Sequence, residues 1–303
     1  MMKDKLLLAS KSLTGISIGD AFGESFFGDE DLMKNYIQQR IIPEGSLDFT
    51  DDTIMAIAVF KSLGKFGVIN QEFLAEEFTK NYFLDIKRGY GPSMHQYFRA
   101  VKSGENWKEV SYSKFEGQGS MGNGGAMRAS VIGAYFYDDL DQLKINAELS
   151  CEVTHANKEA IEGTKAIALA AAFTVQEKLG IEIFDQQNFI QRIQDELSDS
   201  DMKSKLNKAL YLDGNPSIEL LIKTLGNGIK MTAQDTVPLV IWMLSRYRNN
   251  FEECLWNTVS ALGDRDTICA MAAGISILCC DENSPPDWTE NIENWKKSRF
   301  YEN

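Results

Sequence analysis

Two short segments, far apart in the chain, set hydroxyls and carboxylates side by side. Asp48-Phe49-Thr50-Asp51-Asp52-Thr53 runs straight into the apolar stretch Ile54-Met55-Ala56-Ile57-Ala58-Val59-Phe60, and Gly263-Asp264-Arg265-Asp266-Thr267 runs into another that begins at Ile268. A polar group ahead of a helix is an N-cap, worth ~1 kcal/mol to the orphan amides of the first turn. Capping needs one such group, whereas two carboxylates between threonines gather the hard oxygen donors that magnesium prefers. If the two helix starts converge, four carboxylates crowd together, which is tolerable only when cations neutralise them. A pair of divalent ions about 3.5–4 Å apart is the expected solution. Cap and ligand both remain open readings of the spacing itself.

A third segment, Gly117-Gln118-Gly119-Ser120-Met121-Gly122-Asn123-Gly124-Gly125-Ala126-Met127-Arg128, is glycine-rich and opens into an apolar run. Its backbone amides can approach a ligand closely, so a phosphate cradle is physically reasonable. It has neither the Gly-Lys-Ser/Thr of a P-loop nor a strand in front of it, and a plain glycine loop fits equally well. Arg128 is expected in a structural salt bridge more than on a phosphate. Only two histidines occur, His95 and His155, too few to favour Ser-His-Asp chemistry or a His-rich zinc site.

These groups need rigid elements to position them. Helical periodicity dominates over Ile54–Phe60, Ala160–Leu179, Val237–Tyr247 and Ile268–Cys280, while alternating strand patterns are scarce. With six prolines and glycines gathered between the apolar runs, the fold class is all-α. No repeat or linker divides the 303 residues, so residues 1–303 read as a single domain. The segment Asp185–Asn215 reads as a polar surface excursion, and the tail from Asp281 to Asn303 as irregular packing against the body.

Composition excludes other classes. Forty-four acidic against 31 basic residues give a formal charge of −13, which opposes a nucleic-acid backbone or an anionic membrane. An anionic ligand then requires cations to reverse the local field, a further pointer to metal. Lys3 and Lys5 ahead of Leu6-Leu7-Leu8 imitate a signal peptide, but Lys11 interrupts the run. Five cysteines lack metal or redox spacing and are expected as free thiols of a soluble, cytoplasmic protein.

Taken together, the chain resembles the ADP-ribosylglycohydrolase family. The resemblance rests on Gly19-Asp20-Ala21-Phe22-Gly23, Thr50-Asp51-Asp52-Thr53, Gly122-Asn123-Gly124-Gly125-Ala126-Met127-Arg128, Thr154-His155, Gly263-Asp264-Arg265-Asp266-Thr267 and, more loosely, Asp235-Thr236-Val237-Pro238. These occur in the family's order along nearly the whole chain. The resemblance implies an orthogonal helical bundle holding two magnesium ions, with manganese able to substitute. Thr50, Asp51, Asp52, Asp264, Asp266 and Thr267 would be the metal ligands, with Asp51, Asp52 and Asp266 also the catalytic residues. It places Phe115, Gly119, Ser120, Met121, Gly122 and Asn123 around the diphosphate and distal ribose, His155 at the pocket edge, and Asp20 in a structural role.

The chain also departs from the pattern. Arg265 stands where Thr or Ala is usual, Leu262 where a second Gly is common, and Phe27 about where some relatives carry a functional Glu. The implied activity is hydrolysis of the bond between ADP-ribose and a protein side chain, most readily arginine. Hydrolysis of free ADP-ribosyl compounds such as O-acetyl-ADP-ribose is one alternative. Another is an immunity or regulatory protein that binds and blocks an ADP-ribosyltransferase, which would then be a second partner.

Overall fold

The computed structural model describes residues 2–212, 214–280 and 286–302. Sixteen α-helices follow one another among these residues: α1 (Met2–Glu24), α2 (Glu30–Gln39), α3 (Asp51–Phe66), α4 (Gln71–Leu84), α5 (Pro92–Lys102), α6 (Trp107–Gly117), α7 (Ser130–Tyr135) and α8 (Leu140–Glu152) in the first half. In the second half come α9 (Lys158–Lys178), α10 (Gln186–Asp195), α11 (Asp201–Leu210), α12 (Ile218–Leu225), α13 (Ala233–Tyr247), α14 (Phe251–Val259), α15 (Arg265–Ser276) and α16 (Arg299–Glu302). The only β-type pairings among the described residues are two isolated bridges, Leu47 with Ile292 and Gly122 with Thr232. The all-α expectation holds, and each of the four long apolar runs lies mainly in a helix.

The packing is decided by small residues. Along α1, Gly15, Gly19 and Gly23 recur every fourth position and form one stripe, which faces α15. A Cβ on Gly19 would lie 2.1 Å from the Cys269 carbonyl oxygen, and one on Gly23 would lie 2.1 Å from that of Arg265. The two helices therefore touch backbone to backbone, and the Gly19-Asp20-Ala21-Phe22-Gly23 motif is in large part a helix-packing device. Alanines do similar work in α9, buried on nearly every side and packed on α7, α8 and α13. Around this centre one apolar core runs from Ala9 to Phe300. α3 and α15, both against α1, bring their N-termini together.

Of two peripheral expectations, the first needs revision and the packing of the tail against the body holds for its described residues. The 185–215 stretch is more than a surface excursion, because α10 and α11 bury Phe189, Ile190, Ile193, Met202 and Leu206 against α9 and α13. Its apolar residues fall at the spacing of one helical face, so the polar residues between them are the outer faces of amphipathic helices. In the tail, Asp281–Pro285 and Asn303 lie outside the described residues. Of the rest, Trp288 stacks on Phe22, Trp295 Nε1 donates to Thr14 Oγ1 at 3.1 Å, and Phe300 is fully buried. Among the described residues no helix is long and apolar enough to cross a membrane, and all five cysteines are free.

Two alanine substitutions should move stability in opposite directions. Gly19→Ala drives a methyl into a backbone carbonyl that cannot yield cheaply, and is expected to cost at least ~2 kcal/mol. Gly64→Ala, in α3 with its nearest neighbour 4.0 Å away, should stabilise by ~0.5–1 kcal/mol. Urea denaturation midpoints check both.

Candidate active site

The starts of α3 and α15 do not cap themselves. Thr50 and Asp264 hold the N-cap positions, yet neither side chain makes a capping hydrogen bond. For α3 the cap comes from α1. The Asp20 carboxylate accepts the backbone amides of Thr50 (3.0 and 2.9 Å) and Thr53 (3.0 Å) and their hydroxyls (2.8 and 2.6 Å). With the amides satisfied by this borrowed carboxylate, Asp51 and Asp52 are released to face inward.

Two contacts then join the separate motifs. Thr267 Oγ1 donates to Asp52 Oδ2 at 3.2 Å, which ties the start of α15 to that of α3. Asn123 Nδ2 donates to Asp264 Oδ2 at 2.6 Å and to Thr236 Oγ1 at 3.1 Å, which ties the glycine-rich segment and α13 to the same point. The convergence of the two acidic helix starts is thus a property of the fold.

These motifs line one cavity of about 460 Å³. Asp51, Asp52, Asp264, Asp266 and Thr267 form one part of its wall, and Phe115, Gly119, Ser120, Met121, Gly122, Asn123 and His155 another. Thr50 is buried just behind, its hydroxyl given to Asp20. Burial first, and the Asp266 charge second, push Asp51 and Asp52 well above the ordinary carboxylate range. The same two causes raise Asp264 to about 8, and burial raises Asp266. Asp20 is pushed to about 7 by burial, against four donors that favour its charged form.

One atom shows what the cluster is short of. Asp52 Oδ1 is buried with no hydrogen-bond partner, a costly state for a carboxylate oxygen unless a cation or proton meets it. Among the described residues no group of three or more His, Cys, Asp or Glu side chains is placed so that it could by itself hold a metal ion. The donor set here is a mixture of carboxylates and threonine hydroxyls, all hard oxygens, and it suits magnesium or manganese.

The glycine-rich segment owes its glycines partly to a side chain. A Cβ on Gly122 would lie 2.7 Å from His155 Nε2, and one on Gly124 would lie 2.5 Å from His155 Cε1. His155 is buried against them, paired with Thr154 Oγ1 at 2.7 Å. Burial, with Arg128 and Lys114 nearby, holds its pKa well below the usual value, so the ring is neutral. It serves as a wall of the cavity. Arg128 is structural as expected but forms no salt bridge among the described residues. Fully buried, it donates to the carbonyls of Gly124 and Ser150 and to Thr154 Oγ1, and lies over the Phe78 ring.

The departures from the family pattern also find physical explanations. Arg265 turns away from the acidic cluster, its Nη1 donating to Phe26 O at 2.6 Å and its guanidinium 5.0 Å from the Phe27 ring centre. Phe27 is therefore the cover of Arg265 and does not line the cavity. Leu262 adopts a left-handed backbone, φ 55°, which is where a glycine would be most at ease. Glu24, although exposed to solvent, is raised to about 7 by partial desolvation and by Asp266 beside it.

Parts of the wall were not singled out from sequence: the turn from Gly89 to Met94, and Lys230, Met231 and Thr232. Gly226-Asn227-Gly228 ahead of Asp235-Thr236 was the available signal for the second of these.

Comparison with known proteins gives the family and the fold. The family model described as ADP-ribosylglycohydrolase matches residues 3–302. Among similar proteins are ADP-ribosylhydrolase ARH3 of Xenopus tropicalis, 30% identical over 94% of this chain and 91% of the relative, and that of Homo sapiens, 28% identical over 94% and 89%. An uncharacterized protein of Archaeoglobus fulgidus is 29% identical over 87% of this chain and 84% of its own length. A solved structure titled ADP-ribosylglycohydrolase-related protein complex shares the fold with a TM-score of 0.61, at 19% identity over 96% of this chain and 94% of that one.

The raised carboxyls give a signed expectation. Asp264 at about 8 and Asp20 at about 7 lie above their ordinary value of 3.8. Between those limits the native state holds more protons than the unfolded one, so these groups make the metal-free protein less stable as pH rises from about 4 to about 8. Magnesium, which takes the protons' place in the native state, should therefore raise the Tm more at pH 8 than at pH 6. Asp266→Asn should raise the Tm in chelator and abolish hydrolysis. A magnesium effect that is absent, or equal at both pH values, would contradict the cluster's electrostatics.

Proposed function

Since the chain belongs to the ADP-ribosylglycohydrolase family, we propose that it hydrolyses the glycosidic bond joining ADP-ribose to a protein side chain, with arginine as acceptor. The observation that carries the reading is the meeting of Asp51 and Asp52 with Asp264 and Asp266 in a cavity whose wall also contains the glycine-rich segment and Phe115. A deep cavity of this chemistry has no use in a protein that merely covers a transferase. Catalysis is therefore preferred to blocking.

Each part of the wall has a task in this reaction. Phe115 at the cavity lip, 62% exposed, offers a ring face to the adenine. The backbone of Gly119 to Asn123 approaches the diphosphate, and neutral His155 excludes water beneath it. Asp20 fixes the position of Thr50 and Thr53, and hence of Asp51 and Asp52. Two magnesium ions, or manganese in their place, would be held by Thr50, Asp51, Asp52, Asp264, Asp266 and Thr267, and when bound supply the Lewis acidity that lowers the pKa of a water.

A carboxylate of the Asp51–Asp52 pair accepts a proton from an attacking water as the water's oxygen bonds to the anomeric carbon of the distal ribose. The bond to the acceptor nitrogen breaks, its electron pair leaves with the nitrogen, the nitrogen takes a proton from solvent, and the carboxyl group returns its proton to solvent. Free ADP-ribose and unmodified arginine result.

Arginine is favoured because no carboxylate other than the four aspartates lines the cavity, and a guanidine leaves without a dedicated acid. The net charge of −13 also suits a cationic acceptor. One observation favours a second reading. Glu24, raised to about 7, does not line the cavity itself but neighbours Asp266, which does, and as an acid it would serve an alkoxide leaving group in serine-linked ADP-ribose or an ester such as O-acetyl-ADP-ribose.

On matched peptides with magnesium, the expected kcat/KM is at least about tenfold higher for arginine-linked than for serine-linked ADP-ribose, ~1.4 kcal/mol in barrier. Phe27→Glu should leave that ratio unchanged, since position 27 covers Arg265. Equal rates that fall on the serine peptide alone in Glu24→Gln would establish the second reading. No ADP-ribose released from either peptide or from O-acetyl-ADP-ribose would overturn the proposed function.

A further inference from the structure

An ADP-ribose diphosphate entering this cavity brings negative charge toward four carboxylates in a chain of net charge −13. Something in the wall must offset that charge at the phosphate end. Lys230 is the one lysine or arginine among the residues lining the cavity. Arg128 is committed beneath the glycine-rich segment to Gly124, Ser150 and Thr154. Lys114 is turned to Met94 Sδ at 3.8 Å and to the Tyr97 ring, and does not line the cavity.

The backbone holds Lys230 beside the glycine-rich segment. The turn that carries it is stitched there by Asn123 N donating to Met231 O at 3.2 Å and Ala233 N donating to Met121 O at 2.9 Å. Lys230 itself is anchored at its amide, which donates to Asp235 Oδ2 at 3.2 Å. Its side chain is exposed and has no ion-pair partner among the described residues. A lysine fixed at its backbone, free at its ammonium and flanking the glycine amides is arranged to meet a phosphate.

We propose that Lys230 is a specificity-determining residue that selects a nucleoside diphosphate by direct charge contact with its phosphates. This rests on the ADP-ribose reading above. It adds a side-chain cation to what would otherwise be recognition by backbone amides.

Calorimetric titration in magnesium tests it, with wild type, Lys230→Gln and Lys230→Arg against ADP-ribose, ADP and adenosine. Because Lys230 is exposed, neither variant should shift the Tm. Lys230→Gln is expected to weaken ADP-ribose and ADP about tenfold and to leave adenosine unchanged, with Lys230→Arg within about twofold of wild type. Raising the salt concentration should narrow the gap between wild type and Lys230→Gln. Wild-type affinity for ADP-ribose in Lys230→Gln, or a loss shared equally by adenosine, overturns the role of Lys230 alone. A wild type that binds no ADP-ribose overturns the proposed function together with it.

Discussion

The Asp20 carboxylate is the interaction on which the site depends. Seated in α1 and fully buried, it takes over the capping of α3 by accepting two amides and two hydroxyls from Thr50 and Thr53. A helix start normally uses its own polar side chains for this purpose. Here those side chains are spared, and they are the ones that crowd around the cavity. The depth at which Asp20 acts is in turn set by the glycine stripe of α1, which lets α15 approach until backbone meets backbone. One helix thus fixes both acidic helix starts at once.

The cost of this arrangement is electrostatic. Four carboxylates share a desolvated space, each raised above its ordinary range, and one oxygen of Asp52 has no partner at all. A fold selected for stability alone would replace some of them with neutral residues. The cationic groups in reach do not relieve the strain. Arg265, next in sequence to two of the aspartates, is diverted to Phe26 and Phe27, and Lys230 stands beside the glycine-rich segment. The carboxylates of the cluster thus stay without a cationic side chain to offset them among the described residues.

Much of this was legible in the sequence, for a physical reason. Paired Asp and Thr ahead of apolar helical runs exceed what capping requires, and the excess is visible at Thr50-Asp51-Asp52-Thr53 and at Asp264-Arg265-Asp266-Thr267 without any fold. The glycines of the 117–128 segment signal close approach, although the sequence does not say to what. At Gly122 and Gly124 the neighbour is His155, a residue about thirty positions away whose packing only the fold could reveal. Side-chain direction was equally hidden. The resemblance set Phe27 about where some relatives carry a functional Glu, yet the cation–π contact with Arg265 turns it elsewhere. For Lys230 the sequence marks only the turn at Gly226-Asn227-Gly228, since its place in the wall comes from hydrogen bonds made by Met231 and Ala233 to the glycine-rich segment.

A carboxylate cluster that exchanges protons for divalent cations should show both events together. The most direct measurement is calorimetric titration of the metal-free protein with manganese near pH 7, in buffers of different ionisation enthalpy, so that ion stoichiometry and proton release are read together. The account predicts two ions per chain, with protons released as they bind because metal ligands must be deprotonated. Failure to bind manganese, or binding without proton release, would contradict it.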